Sequence, residues 1–247
     1  MTDLRIEPKK LVATAERLER RIQERFEGSG LGRVCGELVK RASQAEQACQ
    51  QIREPHWRLR ALSGTIVAVI VLIALGAAWV AIENASTAAS PFDWRDIPTV
   101  GESVANEVLL LAAAIWFFVT LERKRKRERV IGAMNQLRTL AHLIDIHQLA
   151  KHPEMIGVTD RDTASSPKRE LDPFEMGRYL DYCSEMLALT GKVAALYGEA
   201  FEDPEANEAV NDLEEICIGL SRKIWQKIIL LEARTGRRVA ILPRSDA

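Results

Sequence analysis

The chain is poor in aromatic residues and in cysteine. Phe, Trp and Tyr make up 6% of its 247 residues, and there are 4 Cys. Cys35, Cys49, Cys183 and Cys217 include no CxxC pair, so neither a zinc-ribbon spacing nor a dithiol redox motif is present. They read as reduced, small core residues. Charge of one sign is lacking as well: 34 basic residues stand against 35 acidic ones. That total points to neither nucleic acid nor an acidic polymer as partner. No phosphate-cradling glycine loop, nucleophile elbow, HExxH or paired-carboxylate motif occurs, so no enzyme chemistry and no cofactor are expected. Apolar and polar residues nowhere alternate as a half-buried strand requires. The start, MTDLRIEPKK, lacks the basic segment and adjoining apolar core of a cleavable signal peptide.

What the chain does have is two apolar runs. Ala61 to Ile82 reads ALSGTIVAVIVLIALGAAWVAI, 22 residues without an ionisable side chain. As a helix it measures roughly 33 Å, against a hydrocarbon core of about 30 Å. Val108 to Leu121 reads VLLLAAAIWFFVTL and is only 14 residues long. Extended back to Thr99 or Ser103 it reaches a spanning length but takes in Glu102, Asn106 and Glu107, which then lie near one interface. The expectation is a transmembrane hairpin. Arg53, Arg58 and Arg60 precede the first run, and Arg123, Lys124, Arg125, Lys126, Arg127 and Arg129 follow the second. The intervening loop has Arg95 against Glu83, Asp93, Asp96 and Glu102. By the positive-inside rule both termini are cytoplasmic, in a bacterial inner or plasma membrane. Asn84-Ala85-Ser86 in the outer loop is a glycosylation sequon, of consequence only in a eukaryotic secretory pathway.

Elsewhere the periodicity is helical. Leu11, Leu18, Ile22 and Phe26 precede a GSGLG break at 28–32. Cys35, Leu38, Ala42, Ala45, Cys49 and Ile52 then repeat at steps of three and four, a seam of small residues that permits close helix approach. After the second run, Val130, Met134, Leu137, Ala141, Ile144 and Gln148 keep that spacing until Pro153. One helix from Ser103 to His152 would measure about 75 Å. Asp172-Pro173-Phe174-Glu175 supplies an N-cap, a first-turn Pro and an acid at the third position. It introduces Tyr179, Tyr182, Met186, Leu189, Val193 and Leu196. Asp203-Pro204-Glu205 opens the last seam, Val210, Leu213, Cys217, Leu220, Ile224 and Leu231, which Thr235-Gly236 ends.

The organisation that follows is all-α. A cytoplasmic N-terminal helical hairpin covers 1–59, and a transmembrane hairpin covers 60–122, with spans at about 61–82 and 100–121 and an outer loop at 83–99. A cytoplasmic continuation of the second span covers 123–152, a linker 153–172, an antiparallel helical pair 173–235, and a basic tail 236–247. The N- and C-terminal helices form a cytoplasmic bundle or coiled coil.

Three constellations bear on chemistry. His142, Asp145 and His152 fall within about 80° on a helical wheel, while His147 points elsewhere. A metal site there would need further ligands, for which Asp181 and Glu185 are the candidates, and the polar flank of a packing helix is the simpler reading. Asn106 and Glu107 would line a pore mouth if hairpins assembled into a ring; alternatively, Glu107 is a carboxylate favoured at a helix start. Ala74, Ala78 and Ala112–Ala114 would let such spans pack closely. The basic run from Arg123 to Arg129 suits anionic headgroups at about 1 kcal/mol per residue. Arg178, Asp181 and Glu185 read as the solvated rim of the Tyr179–Tyr182 seam. Arg222, Lys223 and Lys227 around Trp225 read as helix-surface charge, with lipid or an acidic partner as the alternative.

This layout resembles bacterial two-span effector proteins of the SLATT type. The resemblance is one of architecture, over the hairpin and its flanking helices, and it implies oligomerisation and perturbation of a membrane. The expected function is that of a channel, pore-type or membrane-perturbing effector, with the bilayer and further copies of the chain as partners. The rivals are a membrane-anchored scaffold for a cytosolic protein and, more weakly, a metal-dependent membrane enzyme built on the histidine helix.

Overall fold

Local signals start the helices. In the computed structural model the Asp172 carboxylate accepts from the Glu175 amide at 2.7 Å, and Glu175 accepts from the Asp172 amide at 3.1 Å. This reciprocal capping box satisfies two amides that a helix start leaves without partners. The Asp203 carboxylate, itself buried, does the same for the Ala206 amide at 3.3 Å. The structure describes residues 6–53, 64–65, 67–69, 71–72, 75–76, 79, 83, 97–149, 151–153 and 171–235, with side chains at 53, 97–104, 107, 118 and 119 excepted.

Five long helices are continuous among the described residues: α1 (Pro8–Arg25), α2 (Gly30–Arg53), α3 (Ile97–Leu149), α4 (Pro173–Ala200) and α5 (Pro204–Thr235). There is no strand among the described residues. The turn between α1 and α2 needs Gly28, whose φ of 66° lies in the left-handed region that side chains disfavour. Helix α3 starts at Ile97, earlier than the expected span start near residue 100. It absorbs Pro98 in its first turn, where the missing N–H costs nothing. It also stops at Leu149 rather than running to His152.

The chain divides into two compact units, 1–53 with 129–247, and 54–128. In the first, α4 is the central helix and packs against α1, α2 and α5. Its seam from Tyr179 to Leu196 is buried throughout, and so is a second face of Leu180, Cys183, Leu187, Thr190, Ala194 and Tyr197. A helix apolar nearly all round belongs inside a bundle. Thr190 is tolerated there because its hydroxyl donates to the Met186 carbonyl at 2.8 Å. The α2 seam from Cys35 to Ile52 and the α3 seam from Val130 to Gln148 are likewise buried. Cys49 does more than fill space, since its Sγ reaches the Leu196 carbonyl on α4 at 3.4 Å.

None of the four cysteines forms a disulfide, and all are buried. Burial pushes Cys35 up to about 12, with Glu19 and Glu185 adding to it, and raises Cys217 to about 11. These are inert core thiols.

The second unit is the reverse in character. Its described residues are helical, and most of its large apolar side chains are exposed, with Trp79 and Trp116 each at 71%. Most of the 61–82 run and all of 84–96, including the sequon, lie outside the described residues. Among the described residues no helix is long and apolar enough to cross a membrane. On α3 the charge-free stretch from Val108 to Leu121 has 14 residues, short of the roughly 20 that a span uses.

Candidate functional site

The end of α3 holds three of the four histidines, and the structure separates them. His142 is exposed, and His152 is exposed beyond the last helical residue, so the wheel angle that grouped them does not apply to His152. Asp145 accepts a hydrogen bond from the Gln148 side-chain amide. Among the described residues no group of three or more His, Cys, Asp or Glu side chains is placed to hold a metal ion.

His147, the one the wheel set aside, has tertiary partners on two other helices. Its ring lies against Gly30 of α2 so closely that a Cβ there would collide with Cε1. Its Nδ1 is 3.4 Å from the Tyr179 hydroxyl on α4. Burial lowers its pKa below 6.5, and the positive charges of Arg33 and Lys151 lower it further. A neutral imidazole is therefore wedged between α2 and α4 at the end of α3.

Lys227 of α5 closes that same helix end. Its Nζ donates to the carbonyls of Gln148 at 2.8 Å and Lys151 at 3.0 Å. An ammonium there supplies donors to carbonyls that a helix C-terminus leaves without partners, and it sits at the negative end of the dipole. Lys227 is thus a tertiary cap rather than one of the outward charges grouped around Trp225. The Gln148 side chain is 2% exposed, and its Oε1 has no protein partner.

A cationic and aromatic cluster joins α1 to α4. Arg21 makes a two-pronged pair with Glu185, at 2.8 and 3.3 Å, and its guanidinium lies 5.2 Å from the Tyr182 ring centroid. Arg178 lies 5.0 Å from the same centroid and bonds Asp181 at 2.9 Å. Phe26 meets Tyr179 and Tyr182 edge-on at 5.4 and 6.2 Å. Burial raises the Tyr182 phenol, but hydrogen bonds with Arg178 and Arg25 and the nearby positive charges outweigh it, so its pKa falls. Asp181 is raised by burial, against the pull of Arg178. Both guanidiniums are matched by carboxylates, so the cluster is a clamp between helices and not an open anion site. The rim expected from Arg178, Asp181 and Glu185 is half-exposed, as a rim should be, and it also has this structural use.

In the basic run Arg123, Lys124, Arg125 and Arg129 are exposed, while Lys126 pairs with Glu122 at 3.2 Å and Arg127 is half-buried. Asn106 is exposed on α3; Glu107 is helical there, and its side chain lies outside the described residues.

Sequence reasoning missed the His147–Gly30 contact and the Lys227 cap because each joins residues far apart in the chain. The only local sign was a glycine at the first position of α2. No protein-family model matches the chain, and no curated protein or solved structure is significantly similar to it.

Proposed function

We propose that the chain is a non-enzymatic integral membrane protein. Residues 60–122 form a two-span hairpin in a bacterial plasma membrane, and the helical bundle lies on the cytoplasmic side. It is oligomeric and acts as a channel, pore-type or membrane-perturbing effector. The observation that carries this reading is the apolar surface of the 54–128 unit. Val69, Leu72, Leu75, Trp79, Val108, Leu109, Leu110, Ile115, Trp116 and Phe117 are all exposed in one small unit. Soluble proteins rarely leave large apolar patches in water, because each buried Å² is worth about 25 cal/mol. A bilayer supplies the missing environment, and exposed Arg123, Lys124, Arg125 and Arg129 then meet anionic headgroups. Asn106 and Glu107 lie at the opposite end of that apolar stretch, where a ring of hairpins would present a polar mouth.

The test is reconstitution into phosphatidylethanolamine–phosphatidylglycerol vesicles. The protein is expected to resist alkaline carbonate extraction and to pass monovalent cations, with selectivity reduced by Glu107→Gln. Release by carbonate sinks the membrane reading. A folded, membrane-held oligomer without flux sinks the pore and leaves an anchored scaffold.

A further inference from the structure

Helix α5 buries one face against the bundle and leaves another stripe uncovered. Asn211, Glu215, Ile218, Arg222, Trp225 and Ile229 follow at alternating steps of four and three, and all are exposed. The stripe's apolar members Ile218, Trp225 and Ile229 are 59%, 55% and 53% exposed. Elsewhere on the bundle some surface charges are paired along their own helix, as Glu37 is with Lys40 and Arg41. Neither Glu215 nor Arg222 has an opposite charge three or four residues away on α5. The charges are instead segregated by half. Every charged residue from 204 to 217 is acidic, and from 218 to 235 only Glu232 interrupts Arg222, Lys223, Lys227 and Arg234. Beside the stripe runs a groove of about 620 Å³ between α4 and α5, bounded by Ile218, Glu214 and Trp225. Its α4 side carries the small residues Ala188 and Gly191.

We infer that this face binds a second copy of the chain, α5 packing antiparallel on α5 about a two-fold axis level with Leu220. The steps four–three–four–three–four read the same in both directions, so the stripe registers on itself, with Ile218 opposite the second copy's Arg222. An isologous contact requires such self-complementarity. Antiparallel pairing sets the acidic half of one helix against the basic half of the other, with Glu215 within a turn of the second copy's Arg222. Parallel pairing would stack like charge on like. Trp225 then falls level with Glu214 and Glu215 of the second copy, where the groove beside Gly191 has room for an indole. A buried aromatic anchor in a pocket is how interfaces concentrate their affinity. The inference rests on the oligomeric part of the proposed function and not on whether the hairpin enters a bilayer.

The test uses the full chain in detergent, followed by sedimentation velocity over a concentration series. Trp225→Ala is expected to weaken self-association at least about tenfold. Glu215→Arg and Arg222→Glu should each weaken it, and the two together should restore it, because the reversed signs still match. All these positions are exposed, and an unchanged unfolding transition checks each variant. In a parallel measurement, Asn211→Cys mixed with Ile229→Cys should form a cross-link that neither variant forms alone. An oligomer unaffected by the three single substitutions, or Ile229→Cys cross-linking to itself, overturns the antiparallel contact while leaving oligomerisation standing. A wild-type chain monomeric at every concentration sinks both.

Discussion

Leu187 and Leu110 are the same side chain in opposite surroundings. Leu187 lies on α4 at the centre of the bundle with no exposed surface, and Leu110 lies on α3 in the other unit with two-thirds of its surface open. The contrast extends to their neighbours: the seams of the bundle are closed, while Trp79, Trp116 and the leucines near them are bare. Burying a leucine is worth about 1.5–3 kcal/mol, and the bundle gains this many times over. The other unit gains little of it in water. Its apolar side chains stabilise something only against a second apolar phase. Hydropathy alone does not separate the two cases; what separates them is whether neighbouring helices cover the apolar face, as α1, α2 and α5 cover α4.

One substitution placed in both settings breaks the comparison most sharply. Leu187→Arg buries a guanidinium with no partner, at a cost of several kcal/mol. That is comparable with the whole stability of a domain, about 5–15 kcal/mol. Circular dichroism should then show loss of the cooperative unfolding transition. Leu110→Arg should leave that transition within about 0.5 kcal/mol of wild type. In a bilayer the same change is expected to oppose insertion by about 3–4 kcal/mol, read as a lower fraction floating with vesicles. A Leu110→Arg protein that melts early would mean Leu110 is packed after all. Unchanged flotation would remove the membrane role.

The bundle was largely legible because its signals are local. Steps of three and four picked out Cys35 to Ile52 and Val130 to Gln148, and every one of those residues is buried. The capping box at Asp172 needs only four consecutive residues. What escaped was what depends on distant partners. The second buried face of α4 left one faint sign: between Met186 and Leu196 the only charged residue is Lys192. His147 gave none, since its significance depends on Gly30 in another helix. The wheel that grouped His142 with His152 failed because α3 ends at Leu149, where Lys227 takes the freed carbonyls. The candidate pore mouth was read from charge placement alone, and of that pair only the Asn106 side chain lies among the described residues.

Within the bundle, two smaller changes rank the forces that hold it. Gly30→Ala drives a Cβ into the His147 ring, and overpacking of this kind costs about 1–3 kcal/mol. Combined with His147→Ala the clash disappears, so the same glycine substitution should become neutral or stabilising. A double-mutant cycle in urea measures the coupling, and additive effects would show that the two residues do not touch. Asp172→Ala removes the cap of α4 and should cost about 1 kcal/mol. No loss would mean that packing alone holds the start of that helix.

The smallest effect is a pH dependence carried by His147. Its folded pKa lies below the ordinary 6.5, because burial and the charges of Arg33 on α2 and Lys151 beyond α3 disfavour the imidazolium; Tyr179 on α4 faces its Nδ1. Between the lowered value and 6.5 the unfolded chain binds more protons than the folded one, so stability rises with pH through that window. The contribution is complete above about 6.5 and is lost as the pH falls through the folded value. His142 and His152 are exposed and common to both proteins in the comparison, so they cancel between wild type and His147→Gln. Urea unfolding from pH 8 to 5 should show the wild-type bundle losing more stability than the glutamine variant. Parallel curves would mean that the ring takes up its proton in place, with the Gly30 contact loose enough to admit water. The wedge between α2 and α4 would then be a matter of shape and not of charge.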